Sequence, residues 1–224
     1  MTYPKAPWTL LGYALQTCHF LDAKQVSPFI PPQFELVCVL PGKTVGGIYA
    51  SHYGAGSVLE YSELIVVAGL VRYSGQIGGW VSHIYVDNAD SVAGGRNIWG
   101  LPKELAEFTW EKNTSANSGY KNRLLVRQGE RTLCHFSYNP PNFELQLPLS
   151  ANAFSTKSDS ILLFPSQIES RISIVANQLQ VPSESSFANL GLDHPWLTLS
   201  LNQLRLVVGA PEAVGLREPV VRQF

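Results

Sequence analysis

Leu64-Ile65-Val66-Val67-Ala68-Gly69-Leu70-Val71 decides the fold class of this chain. The run contains no polar side chain, so the apolar/polar alternation of a half-exposed strand is lost and both faces of an extended segment must be covered. It is also too short to cross a membrane, which takes about twenty apolar residues. It reads as a central strand. Outward from it the text stays strand-like, rich in Val, Ile, Tyr and Thr and punctuated by 18 Gly and 15 Pro, the pattern of an all-β sandwich or barrel. Strands are predicted near Leu11 to Phe20, Phe34 to Leu40, Val45 to Tyr53, Ser62 to Tyr73 and Gly79 to Val86. They continue near Lys103 to Trp110, Leu124 to Gln128, Thr132 to Tyr138, Phe143 to Leu147, Ser160 to Phe164 and Trp196 to Val208. Two short helices are predicted, Asp22 to Ile30 with Asp22 as cap and Asn88 to Arg96 with Asp87 or Asn88 as cap. The polar stretch Asn113 to Asn122 reads as a loop with the same strand texture on both sides, so residues 1–224 are expected to form one domain without repeats.

At 224 residues, 45% hydrophobic and 15% charged, the chain can bury enough apolar surface to offset the entropy of ordering itself. Sixteen Lys plus Arg against seventeen Asp plus Glu leave a net charge of −1, which gives no footprint for a nucleic-acid backbone or an anionic membrane. A small, uncharged or weakly charged ligand fits better. The three cysteines, Cys18, Cys38 and Cys134, suit neither a disulfide framework nor a zinc site. Met1 to Trp8 holds one Lys, two Pro and no apolar segment, so no secretory leader is expected. A soluble protein of a reducing compartment, the cytoplasm, is expected.

Several motifs dissolve on inspection. Gly54-Ala55-Gly56 lacks the third glycine and the following helix of a dinucleotide fingerprint, and reads as a turn. His19, His52, His83, His135 and His194 are scattered singly, without the paired spacing of metal sites. Asn113-Thr114-Ser115 matches a glycosylation acceptor but needs a secretory route. Glu60 and Glu63 stand at an odd offset, i and i+3, which on a strand sends them to opposite faces.

One segment stands apart: Gly94-Gly95-Arg96-Asn97-Ile98-Trp99-Gly100-Leu101-Pro102-Lys103-Glu104-Leu105. Its glycines and proline suggest an irregular backbone carrying a Trp, a Leu and then a Lys. A lysine buried there would have its charged form disfavoured and would become a candidate amine nucleophile. The alternative is a snorkelling surface lysine at the start of a strand.

The segment resembles the acetoacetate decarboxylase superfamily. The resemblance lies in Asp87-Asn88, Gly95-Arg96 and Pro102-Lys103, and upstream in Tyr61-Ser62-Glu63, similar to a Tyr-x-Glu forty residues before the family's lysine. It covers residues 61 to 108, with weaker similarity at Phe29-Ile30-Pro31. It implies a closed or partly closed antiparallel β-barrel, a homo-oligomer, and no metal, nucleotide or flavin cofactor. It also implies that Lys103 forms a Schiff base with a small keto substrate beside Glu63. Arg96 then either holds a carboxylate or braces the loop, with Tyr61, Trp99 and Leu101 as further substrate-binding candidates. Two features depart from the decarboxylases. Glu104 stands where they have a second lysine, and the positions of their upstream arginine and acid fall near Gly12 and Ile48. An apolar or longer keto compound is therefore expected rather than acetoacetate.

A second likeness is to the plant neoxanthin-deficiency proteins, a branch of the same superfamily. It is carried by Pro7-Trp8, Gly12, Ala14-Leu15, Gly46-Gly47, Glu63-Leu64 through Ala68-Gly69, and Gly95-Arg96 with Gly100-Leu101-Pro102. That branch implies binding of an isoprenoid, carotenoid or lipid, or an accessory role, without catalysis. Nineteen Phe and Tyr and five Trp would line such a cavity, or simply pack a core.

Overall fold

The structure is a computed structural model describing residues 3–112, 120–141 and 143–216. The tripeptide Asn113-Thr114-Ser115, and most of the loop expected over Asn113 to Asn122, lie outside the described residues. The fold is mostly β. Its strands are β1 (Trp8–Asp22), β2 (Glu35–Leu36), β3 (Lys43–Tyr53), β4 (Tyr61–Tyr73), β5 (Gln76–Val86), β6 (Lys103–Leu105), β7 (Glu107–Glu111), β8 (Asn122–Gln128), β9 (Arg131–Tyr138), β10 (Leu145–Lys157), β11 (Ser160–Ile174), β12 (Asn177–Gln180), β13 (Leu197–Val208) and β14 (Glu212–Leu216). The helices are α1 (Ala23–Val26) and α2 (Ala89–Trp99).

The larger sheet runs β2-β4-β3-β1-β13-β11-β10-β5-β6, and β4 also pairs with β5, so the pairings return to their start. A second sheet, β12-β9-β8-β7, lies against it. The expected all-antiparallel arrangement needs correcting at two places. β5 pairs in parallel with β10, through Gly79 and Trp80, and with β6, through Ile84 to Val86.

β4 explains why the alternation vanishes in its sequence. Leu64, Val66 and Ala68 are fully buried in a core shared with Leu124, Val126 and Phe136 of the second sheet. Ile65 and Val67, on the opposite face, line a cavity inside the ring. Irregular register between Val66 and Gly69 against β5 marks a bulge. It lets Val81 and Ile84, an odd number of residues apart, both face that cavity.

The helix predicted over Asp22 to Ile30 is shorter than expected. Asp22 caps it by accepting from the amides of Lys24 and Gln25, but after Val26 the chain tightens into a 3₁₀ turn, Ser27–Phe29, at Pro28. α2 is longer than predicted. Asn88 caps it, accepting from the amide of Ser91 at 3.0 Å, whereas Asp87 accepts from the amide of Ser62. The helix continues past Arg96 through Trp99, within the segment whose backbone reads as irregular, and stops at Gly100 with φ +64°. β10 and β11 form a ribbon far longer than the short strands predicted, because the polar stretch Ser150-Ala151-Asn152 pairs normally with β11. Among the described residues no helix is long and apolar enough to cross a membrane.

Candidate active site

Lys103 opens β6, opposite Ile84 of β5. Three local bonds set its backbone after the end of α2: the Leu101 amide donates to the Gly95 carbonyl at 3.1 Å, the Lys103 amide to the Leu101 carbonyl at 2.8 Å, and Arg96 Nε to the Lys103 carbonyl at 2.8 Å. The side chain then lies over Gly95, where any Cβ would stand 2.5 Å from Lys103 Cδ. The close approach of lysine to helix favours glycine there. The side chain is 3% exposed.

Lys103 Nζ stands 2.7 Å from Glu63 Oε1 and donates to Ser91 Oγ at 3.0 Å. The rings of Tyr61 and Trp8 flank it, with centroids 5.0 and 5.5 Å away. Glu63 is equally buried, and Tyr53 donates to its Oε2 at 3.2 Å. A buried lysine–carboxylate pair is an expensive way to stabilise a fold, since apolar residues of the same volume serve as well or better. Such a pair in a cavity wall is a reason to look for chemistry. The nearby phenols of Tyr49, Tyr53 and Tyr61 have their pKa pushed up, first by burial and further by the Glu63 charge, so they remain hydrogen-bond donors.

The cavity is about 290 Å³. Among the described residues lining it, the charged ones are Lys103 and Glu63, which face each other; Gln16, Asn152 and Ser166 add polar atoms, and most of the remaining wall is apolar. Trp99 and Leu101 also line it, with Trp99 fixed edge-on to Trp8 at 4.9 Å and by a bond from Nε1 to the Gly209 carbonyl.

Of the six residues singled out in sequence, Lys103, Glu63, Tyr61, Trp99 and Leu101 meet at this cavity and Arg96 does not. Arg96 is exposed outside it, and its Nε donates to the Lys103 carbonyl. Of the two roles expected for Arg96, this bond fits the brace of the loop. Glu104 points outward and accepts from Gln128 Nε2 at 2.7 Å, away from the amine. Gly12 has no room for an arginine, because a Cβ there would sit 1.8 Å from the His52 carbonyl oxygen. Ile48 is buried in the core on the other side of the sheet. Sequence reading missed Ser91, Tyr53, Tyr49 and Trp8. Period-two alternation held the signal for the two tyrosines: Tyr49 and Tyr53 share a face of β3, and Tyr53 lies opposite Tyr61 in register with β4.

The family model for acetoacetate decarboxylase (ADC) matches residues 7–177. The chain belongs to the acetoacetate decarboxylase family. It is 28% identical over 169 residues to Protein NEOXANTHIN-DEFICIENT 1 of Solanum lycopersicum, an alignment covering 70% of this chain and 57% of that protein. It is 40% identical over 65 residues to acetoacetate decarboxylase of Burkholderia vietnamiensis (strain G4 / LMG 22486), covering 29% of this chain and 25% of the relative. The chain thus spans little more than half the length of the first of these relatives, and less of the second. Among solved structures, acetoacetate decarboxylase from Legionella pneumophila shares the fold with a TM-score of 0.72 at 17% identity, over 96% of this chain and 90% of that one. The two sequence likenesses point to the two branches of the family that the motifs suggested.

Proposed function

We propose that this protein is a Schiff-base-forming lyase in which Lys103 condenses with a keto acid or a related apolar ketone. The observation that carries the reading is the buried Lys103 amine, 2.7 Å from Glu63, in the wall of a largely apolar cavity. Glu63 is near enough to take the proton that the amine must lose before it attacks a carbonyl. The resulting iminium draws electrons from the adjacent carbon, so that carbon dioxide, a proton or an aldol fragment leaves without forming a bare carbanion. The arginine-free lining favours an apolar or longer ketone over acetoacetate. The same reading takes the ring of pairings as a closed or partly closed barrel, with the Lys103 segment entering its mouth. It takes residues 1–224 as one domain, working in the cytoplasm as a homo-oligomer without metal, nucleotide, flavin, nucleic-acid or membrane-inserted partners. The uncharged stretch Leu145–Ala153, with Leu145, Leu147 and Leu149 exposed, supports self-assembly, since two copies meet there without like-charge repulsion. Incubation with 2-heptanone or a β-keto acid and borohydride, followed by peptide mass mapping, is expected to place a reduced adduct on Lys103. No adduct with any ketone would remove the reading.

The same cavity supports a second reading, a non-catalytic holder of an isoprenoid, carotenoid or other lipid, or an accessory protein. The lipid-like lining and the likeness to NEOXANTHIN-DEFICIENT 1 favour it. Mass analysis of an organic extract of the purified protein tests it, with a stoichiometric apolar compound retained by Lys103→Ala as the supporting result.

A further inference from the structure

Glu63 meets the amine with one oxygen and uses the other differently. Oε2 accepts from the Tyr53 hydroxyl at 3.2 Å, and the Tyr53 hydroxyl stands 3.3 Å from that of Tyr49. Tyr53 is fully buried and does not line the cavity, whereas Tyr49 does. The Tyr53 hydroxyl is placed to donate to Glu63 Oε2 or to the Tyr49 oxygen; one hydroxyl hydrogen serves one acceptor at a time, so when it goes to Glu63 the Tyr53 oxygen is open to the hydrogen of Tyr49. Packing alone does not ask for this row of oxygens, because phenylalanines would fill the same volume without burying two hydroxyls. Burial and the Glu63 charge keep both phenols protonated, which suits groups that pass a hydrogen along rather than ionise.

We infer that Tyr49 and Tyr53 form a proton relay that extends Glu63 from the amine into the cavity, with Tyr49 taking and returning the proton at the carbon beside the iminium. This rests on the Schiff-base reading. The steps balance. Glu63 receives a proton from the Lys103 ammonium; the amine adds to the carbonyl, and its second proton passes to the carbonyl oxygen. Glu63 then returns its proton as that oxygen leaves as water, giving iminium and carboxylate. Next, the α C–H bond breaks. Its electron pair becomes the enamine double bond, and the iminium π pair returns to nitrogen. The proton goes to Tyr49, whose own proton moves to Tyr53 and that of Tyr53 to Glu63 Oε2. Reversal of the relay protonates the enamine carbon. A carboxylate confined to the amine would serve the nitrogen; the relay lets it serve the carbon as well.

The probe is 2-heptanone in D2O, with α-hydrogen exchange followed by NMR and adduct formation on Lys103 by borohydride trapping. The wild type is expected to do both. Tyr49→Phe should still form the adduct while exchange falls by about a hundredfold, the usual scale for loss of a general acid–base group. Tyr53→Phe should give the same split, and the thermal midpoint of each variant checks that it folds. Exchange by Tyr49→Phe within about twofold of wild type overturns the relay, as does a parallel fall of exchange and trapping, which marks a disturbed pocket. If the wild type forms no adduct, the Schiff-base reading fails and takes the relay with it. If the adduct forms and Tyr49→Phe exchanges normally, the relay alone fails.

Discussion

A single methyl group at Gly95 tests whether the seat of Lys103 is as tight as its geometry implies. Gly95 lies within α2, where Gly→Ala gains about 1 kcal/mol of helix propensity. The new Cβ would stand 2.5 Å from Lys103 Cδ and 2.7 Å from Cε. Carbon atoms need about 3.5 Å, so the stem must move by about 1 Å. Its far end is not free to follow, because Nζ is held by Glu63 at 2.7 Å and Ser91 at 3.0 Å. Moved directly away, the amine would stand about 3.7 Å from Glu63, beyond hydrogen-bond range. Overpacking costs about 1–3 kcal/mol, and the gain in propensity offsets a third or more of it. Gly95→Ala should therefore fold, with a midpoint lowered by less than about 10 °C. The chemistry should suffer more, since a displacement of about 1 Å at a reacting group costs about 10²-fold. The assay is the rate of borohydride-trapped adduct formation on Lys103 with 2-heptanone, beside a thermal melt. An adduct rate equal to wild type would refute the claim that Gly95 fixes the amine against Glu63.

Lys103→Ala should destabilise the fold by about 3–5 kcal/mol in urea unfolding, because it leaves Glu63 buried without its counter-charge; the double variant Lys103→Met with Glu63→Leu should recover most of that loss. Arg96→Ala should slow adduct formation without changing its half-saturating ketone concentration, since the guanidinium braces the Lys103 carbonyl from outside the cavity; a raised half-saturation would return Arg96 to the substrate site. His19 is buried, and desolvation holds its pKa down to about 4 against an ordinary 6.5, with the His194 backbone and the Asp193 charge only partly opposing that. The unfolded chain therefore binds this proton first as pH falls. The stability from neutral His19 is complete above about pH 6.5 and is lost toward pH 4, about 3 kcal/mol in all. Urea titrations at pH 7 and pH 4.5 should show that loss in wild type and a smaller one in His19→Gln.

How far the sequence reaches is clearest at Lys103 itself. Strict alternation along Lys103 to Trp110 groups it with Leu105, Glu107 and Thr109, none of which is a core position, so period two alone does not report its burial. The alternation fails at Ala106. There the chain leaves the larger sheet, its amide donating to the Val86 carbonyl, and begins β7 in the second sheet at Glu107. Period two holds only while a strand stays in one sheet, and no residue in Glu104-Leu105-Ala106-Glu107 announces a change of partner. The central strand was legible for the opposite reason: β4 keeps its place for thirteen residues with both faces covered, so composition alone reports its environment. Glu63 and Tyr61 lie on that strand, which is why a motif spacing found them. Tyr49 and Tyr53 lie on the neighbouring strand and are joined to Glu63 only by hairpin register, a relation between two elements. Their pattern is written in the sequence, but it acquires meaning only once β3 and β4 are paired. The positions of Gly12 and Ile48 teach the same lesson from the other side. The family's arginine and acid fall near them in sequence, yet one is closed by the His52 carbonyl and the other faces the opposite core. A missing charge at either place therefore says little about the cavity. The selectivity of this site has to be argued from the side chains that do reach it, and those leave Glu63 as the carboxylate available to serve both the nitrogen and the carbon of a bound ketone.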